Sequence, residues 1–213
     1  MPAIALKTFE ELCHRPELLA ISDFVLRKLK KITNPIKRAK YIHRAIDEFN
    51  EEVFAHPLVK NLSPCKLGCT ACCHTQVSVT EDEASLLAKK IQGPLTIDLI
   101  RLQKQAAAGN DAAAFYKLSY EDRKCVFLDD VGGCQVYADR PSVCRTNAVL
   151  GEAQQCDTTQ GQQQLRLVKT SKSDMVIYAF YRFSRHNGAL AAMVAEQLRS
   201  DQERAKHLLA DLG

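Results

Sequence analysis

The sequence contains no long run of apolar residues. Of its 213 residues, 46% are hydrophobic and 25% are charged, a balance typical of globular proteins rather than of disordered or membrane-spanning ones. The first residues, MPAIALKTFEELC, lack the basic segment, apolar core and small-residue cleavage site of a secretory signal. We therefore expect a cytoplasmic protein with no membrane partner.

The motifs of several common catalytic sites are also missing. There is no glycine-rich G-x-G-x-x-G loop, no H-E-x-x-H pair and no arrangement that suggests a Ser-His-Asp triad. Internal repeats and a clean domain linker are absent too, so we expect residues 1–213 to form a single domain. Whether that domain is an enzyme stays open at this point.

Cysteine, by contrast, is abundant. Nine cysteines are poorly explained by disulfides in the reducing cytoplasm, so metal binding or redox chemistry is the leading interpretation. The formal net charge of +4 counts every thiol as neutral, whereas metal ligands are thiolates. A basic excess that thiolates would offset does not indicate a nucleic-acid partner.

Apolar residues recur at every third or fourth position on both sides of a cysteine-bearing middle, the spacing of amphipathic helices. Thr80 and Glu83 also have the spacing of a capping box. Ser173 is a candidate helix cap, and Asn187-Gly188 a candidate stop. The predicted helices cover 18–32, 36–53, 81–92, 96–108, 112–118, about 173–186 and 189–210. Helical regions at 17–55 and 173–210 thus flank a cysteine region at 60–157.

Two short β-prone runs lie in the middle of the chain. CVFL at 125–128 and CQVY at 134–137 are separated by the turn-rich DDVGG, which predicts a hairpin. Residues 151–164 are polar and rich in Gln, which predicts an exposed loop. The predicted fold class is mainly α: a helical domain with an irregular cysteine-rich metal-binding region and a small β-hairpin.

Eight of the cysteines fall into two groups, and Cys13 stands apart. The C-x2-C spacing within the first group makes a tight turn whose thiolates can approach one ion. Adjacent side chains such as Cys72 and Cys73 tend to diverge, which favours two neighbouring centres or one cysteine that is not a ligand. The first group is Cys65, Cys69, Cys72 and Cys73, and the second is Cys125, Cys134, Cys144 and the more distant Cys156.

The segment CKLGCTACC, followed by CVFL and then by CQVYADRPSVCR, resembles the cysteine-cluster family of zinc- or iron-chelating domains. The resemblance covers about residues 60–157, and YADRPSVCR is its most specific part. The family also includes flagellin lysine N-methylases, so the resemblance implies a metal more firmly than a reaction. The metal ligands that it implies are Cys65, Cys69, Cys72, Cys73, Cys125, Cys134, Cys144 and Cys156.

Three further residues near the cysteines are candidates for a role at the site. Arg140 and Arg145 flank Cys144, and we expect their guanidinium groups to offset thiolate charge and to donate N–H···S hydrogen bonds. Surface salt bridging is the alternative. His74 is a candidate ligand in place of a cysteine, although surface histidines are more common.

The expected function is metal binding, with an iron–sulfur cluster or zinc as cofactor. Few histidines lie near the closely grouped thiols, which slightly favours iron–sulfur. One alternative is a lysine N-methylase-like enzyme that acts on a protein substrate. Another is a metal-stabilised interaction module, whose protein partner would bind the basic run at 26–40.

Overall fold

The computed structural model describes residues 1–66, 68–159 and 167–210. Three short 3-10 helices, at Ala71–His74, Tyr137–Asp139 and Ala153–Cys156, lie in the cysteine region. In this part of the chain the α-helices are α1 (Ala3–Leu12), α2 (Pro16–Leu29), α3 (Pro35–Ala55), α4 (Pro57–Leu62), α5 (Glu81–Ile91), α6 (Leu99–Ala107), α7 (Ala112–Tyr116), α8 (Tyr120–Arg123), α9 (Ser142–Thr146), α10 (Ser171–Phe183) and α11 (Leu190–Ala210).

The mainly α class is confirmed, and local sequence explains where several helices begin. Helices α2, α3 and α4 each start with proline, whose fixed φ suits the first helical position. The predicted capping box is present at α5: Thr80 Oγ1 accepts from the Glu83 N–H, and the Glu83 carboxylate accepts from the Thr80 N–H. None of the helices in the described ranges is long and apolar enough to cross a bilayer.

Ser173 does not cap α10 as predicted. It lies inside that helix and is buried, and its hydroxyl donates to Asn50 Oδ1 on α3 at 2.7 Å. The Ser173 hydroxyl therefore bonds a side chain on another helix and does not cap the backbone of α10. The helix begins two residues earlier, at Ser171.

The predicted hairpin at 125–137 takes the form of a turn that a single antiparallel bridge closes, between Leu128 and Cys134. Within this turn, Asp129 Oδ1 accepts from the backbone N–H of Val131. The predicted loop at 151–164 contains a 3-10 helix, and its residues 160–164 lie outside the described residues.

A regular two-stranded sheet forms elsewhere in the chain. Strand β1 (Ser78–Thr80) pairs antiparallel with β2 (Asn187–Ala189), so that Val79 faces Gly188. The Asn187-Gly188 pair that was predicted to stop a helix lies in this second strand. Because its partner is so distant in sequence, the pairing has no local signal.

Two clusters of buried apolar side chains fill the interior. The first packs α2, α3 and α10 together through residues such as Leu29, Ile42 and Phe180. The second includes Phe127 and side chains from α5, α6 and α11. Helix α5 contributes to both, because Leu86 belongs to the first cluster and Leu87 to the second.

The same helix buries a carboxylate, Glu83, that is 1% exposed. Its Oε1 accepts from the Ser142 N–H at 2.6 Å and lies 3.2 Å from His43 Nε2, and its Oε2 accepts from the Thr80 N–H at 3.0 Å. Burial alone would raise the pKa of Glu83, but the hydrogen bond and charge of His43, with the N–H groups of Thr80 and Ser142, lower it overall. This carboxylate thereby joins α3, α5 and the first residue of α9.

We expect Glu83→Gln to lower the free energy of unfolding at pH 7 by about 2–3 kcal/mol, because a neutral amide is a weaker acceptor for these donors. The folded-state pKa of Glu83 is lowered, so its contribution is fully present above the ordinary carboxyl pKa of about 4.3. It is lost as the pH falls through the folded-state pKa. Urea denaturation of both proteins at several pH values measures the difference.

The matched control is Glu51→Gln, which changes an exposed carboxylate on α3. It should leave the free energy of unfolding nearly unchanged at every pH. Equal losses in the two variants, or a Glu83→Gln loss that grows as the pH falls, would contradict the role assigned to Glu83.

Candidate metal centre

Seven of the eight predicted cysteine ligands line one cavity, whose volume is about 1010 Å³. All nine cysteines of the chain are free thiols. Cys156 is buried and is not part of the lining. The seven lining cysteines are Cys65, Cys69, Cys72, Cys73, Cys125, Cys134 and Cys144.

Tight backbone turns hold the first group of cysteines. Gly68 has a φ of +89°, a conformation that glycine adopts without strain. The Cys69 N–H donates to the Lys66 carbonyl across this turn at 3.0 Å. The 3-10 helix that follows carries Cys72 and Cys73 at consecutive positions. The first group is therefore compact because of its local backbone.

Tertiary contacts bring the second group to the first. The Cys125 N–H donates to the Cys73 carbonyl at 2.7 Å, which joins the two groups directly. Cys134 lies in the bridge that closes the following turn. Cys144 lies in α9, whose first N–H is held by Glu83. Each cysteine of this group thus owes its position to a different contact.

Cys72 and Cys73 are adjacent, and the thiol of each affects the pKa of the other. Both side chains turn into the cavity. Interaction with the Cys73 thiol is the main cause that lowers the pKa of Cys72 to about 6, with help from Asn147 and from the charge of Arg140. The same interaction, with burial, raises the pKa of Cys73 well above its ordinary value. Cys72 is thus the thiol of the pair that ionises first.

Several deeper thiols hold their protons more firmly. Burial raises the pKa of Cys125 to about 11, and neighbouring thiols add to the effect. Burial likewise raises the pKa of Cys144 well above its ordinary value. Because metal ligands are thiolates, binding of a cation by these residues would release protons.

The charge of Cys72 acts on two sets of thiols. Burial raises the pKa of Cys156 to about 11, and the thiols whose charges raise it further are Cys72, Cys65 and Cys69. The 3-10 helices that carry Cys72 and Cys156 are also in contact. The second set, in which the charge of Cys72 raises the pKa of every member, comprises Cys73, Cys125, Cys134 and Cys144.

The chemistry of this donor set fits zinc or an iron–sulfur cluster, because both are bound by cysteine thiolates. Within the described ranges, however, no three His, Cys, Asp or Glu side chains form a ready-made ion site. The structure therefore gathers the predicted cysteines into one region, and their coordination of a metal stays a prediction.

Both predicted arginines line the cavity, and Arg140 is the one whose charge acts on the thiols. It lines the cavity, and its guanidinium carbon lies 4.0 Å from the centroid of the Tyr137 ring. Its charge favours the ionised forms of Cys72 and Cys134. Its Nε is buried and has no hydrogen-bond partner among the described residues. A cationic group with a free donor thus lies beside the thiols.

Arg145 makes a different set of contacts, all to oxygen atoms. Its Nε donates to the Arg140 carbonyl at 3.0 Å, and its Nη2 donates to the Ala138 carbonyl at 2.6 Å. Its Nη1 donates to the Asp47 carboxylate on α3. The side chain is 3% exposed. These bonds tie the turn before α9 to α3.

His74 packs away from the cavity. Its ring stacks on Tyr120, with centroids 4.1 Å apart and an angle of 5° between the planes. The Arg123 guanidinium lies over the Tyr120 ring, and it donates to Thr158 Oγ1 at 2.9 Å. We did not predict this stack from sequence. Its only signal was the segment YEDRKC directly before the second cysteine group.

Comparison with known families confirms the resemblance seen in the sequence. Residues 64–164 match the CxxCxxCC family model, which is described as a "putative zinc- or iron-chelating domain". The match includes all eight predicted ligands. The chain matches no curated protein and no solved structure. Over residues 64–164 the chain is therefore similar to the CxxCxxCC family, the "putative zinc- or iron-chelating domain".

Proposed function

We propose that this protein binds metal through its eight clustered cysteines. The observation that carries the proposal is the shared cavity: seven free thiols from separate stretches of the chain line it. Cys156 is included because its thiol interacts with those of the first group. Inert cysteines that serve only as small apolar residues have no need to converge in this way.

The same lining supports an all-sulfur ligand set. No histidine from the described residues lines the cavity, and His74 stacks on Tyr120 instead. Zinc bound by these thiols would stabilise the fold around them, because metal binding contributes to folding free energy. An iron–sulfur cluster would add the capacity to transfer electrons. We favour the cluster, because many closely grouped thiols suit a multi-iron core.

The two arginines would then have separate roles. Arg140 would tune the metal centre, since its charge already favours thiolate at Cys72 and Cys134. Arg145 would support the site mechanically, through its bonds to Asp47 and to two backbone carbonyls. Both residues belong to the DRPSVCR segment.

Anaerobic purification with elemental analysis and a visible spectrum tests the proposal. A cluster predicts brown protein with iron and acid-labile sulfide, and zinc predicts colourless protein with stoichiometric zinc. Cys69→Ser and Cys134→Ser should each lose metal and lower the melting temperature, because an incomplete ligand set forfeits binding energy.

Cys13→Ser provides the control for these variants. Cys13 follows α1, and its thiol lies 4.0 Å from the Glu10 carbonyl. This variant should keep the parent's metal content and melting temperature. Normal metal content in both Cys69→Ser and Cys134→Ser would refute the proposal, and loss of metal from Cys13→Ser would extend the ligand set.

Arg140→Lys should keep the metal but weaken its binding about tenfold to a hundredfold in chelator competition, because lysine keeps the charge and loses the planar donor group. Arg145→Lys should instead lower the free energy of unfolding by about 2 kcal/mol, since a single ammonium cannot reach all three oxygens. Chelator resistance is measured well below the melting temperature of either variant. Equal chelator resistance in Arg140→Lys and the parent would show that Arg140 does not tune the centre.

A further inference from the structure

The cavity that holds the thiols continues to a part lined by α1 and by the start of α10. Thr8 and Leu12 contribute from α1, and Thr170 and Asp174 contribute from α10 and its N-cap. The whole cavity, about 1010 Å³, is as large as the larger sites for small organic molecules, about 300–1000 Å³. A metal centre at the thiols would leave much of it free.

Asp174 is a buried carboxylate in this part of the lining, and it is 5% exposed. Its Oδ2 accepts from Thr8 Oγ1 at 3.1 Å, and its Oδ1 accepts from Thr170 Oγ1 at 3.4 Å. Burial raises the pKa of Asp174 to about 6, opposed only by these two hydroxyl groups. Each carboxylate oxygen accepts one of these bonds, and its second lone pair can accept another.

The other two buried carboxylates of the described chain each have a basic partner. Asp82 makes two bonds with the Arg38 guanidinium, at 2.7 and 2.6 Å. Glu83 lies against His43. Asp174 has no salt bridge with any described residue. Since a buried carboxylate without a counter-charge is costly, the cavity in front of it is where a cation would be stabilised.

The surroundings indicate which cation fits. One carboxylate and two hydroxyls supply too few charged oxygens for a divalent metal ion, but they match an ammonium group, which has three donors. Apolar side chains nearby, among them Leu12 and Val168, suit a hydrocarbon body. Two lysines near this part also line the cavity: Lys7, which is paired with Glu11, and Lys169, which precedes Thr170 in the chain.

We propose that the cavity binds a small aliphatic amine, whose ammonium group is held by Asp174 together with Thr8 and Thr170. The amine would lie in the same cavity as the thiols but would be recognised without them. Metal content and amine binding are therefore separate properties of the protein, and each can fail without the other.

Isothermal titration calorimetry of the full chain with hexylammonium chloride tests this proposal, with 1-hexanol as the neutral probe of the same length. The parent protein should bind hexylammonium about tenfold or more tightly than hexanol, the ratio expected for a charged hydrogen bond. Asp174→Asn should abolish this preference and leave metal content unchanged. Asp23→Asn, at an exposed position on α2, should retain it.

Three results would overturn the proposal. Hexylammonium and hexanol binding the parent equally would mean that the cavity recognises only apolar groups. No binding of either probe would exclude the site, and an undiminished preference in Asp174→Asn would exclude Asp174 as the recognition group. The comparison of two probes on the parent holds even if Asp174→Asn does not fold. A parent without metal that still prefers hexylammonium would refute only the metal-binding function.

Discussion

The carboxylate of Glu83 is the contact on which most of this structure depends. One of its oxygens completes the start of α5, and the other binds α9 and lies against His43 on α3. Local helix formation and tertiary assembly are therefore coupled through a single side chain. Because α5 also supplies Leu86 and Leu87 to the two apolar clusters, its orientation determines how both clusters and the cysteine-bearing helix fit together.

The features that could be predicted from sequence are those with local causes. Apolar spacing predicted the main helices, and Thr80 with Glu83 predicted the start of α5. What was missed depends on partners distant in the chain: Glu83 binds Ser142, 59 residues away, and Ser173 binds Asn50, 123 residues away. In both cases a buried polar side chain forms a hydrogen bond with a residue far away in the sequence, and the pattern of neighbouring residues does not predict such a bond.

At the candidate site, too, the sequence motif predicts which residues take part but not the contacts that each of them makes. Cysteine spacing identified the thiols that share the cavity, because a metal-binding motif is a pattern of residue types. The two arginines of the motif are five residues apart and look equivalent in sequence. Arg140 follows the 3-10 helix Tyr137–Asp139, and its charge acts on the thiols, whereas Arg145 lies in α9 and donates to three oxygen acceptors. Their environments, which the motif does not encode, separate their roles.

The pairing of β1 with β2 has a consequence for how the protein is made. The first cysteine group precedes β1, the second lies between the strands, and β2 emerges about a hundred residues after β1. At a synthesis rate of about 5–20 residues per second, the strand partner of β1 arrives roughly 5–20 s later. During that interval the first cysteine group is on the nascent chain without Leu190 and Ala191 of α11, which line the same cavity. The cavity on which these thiols converge is therefore completed only after they have been in contact with the surrounding solution.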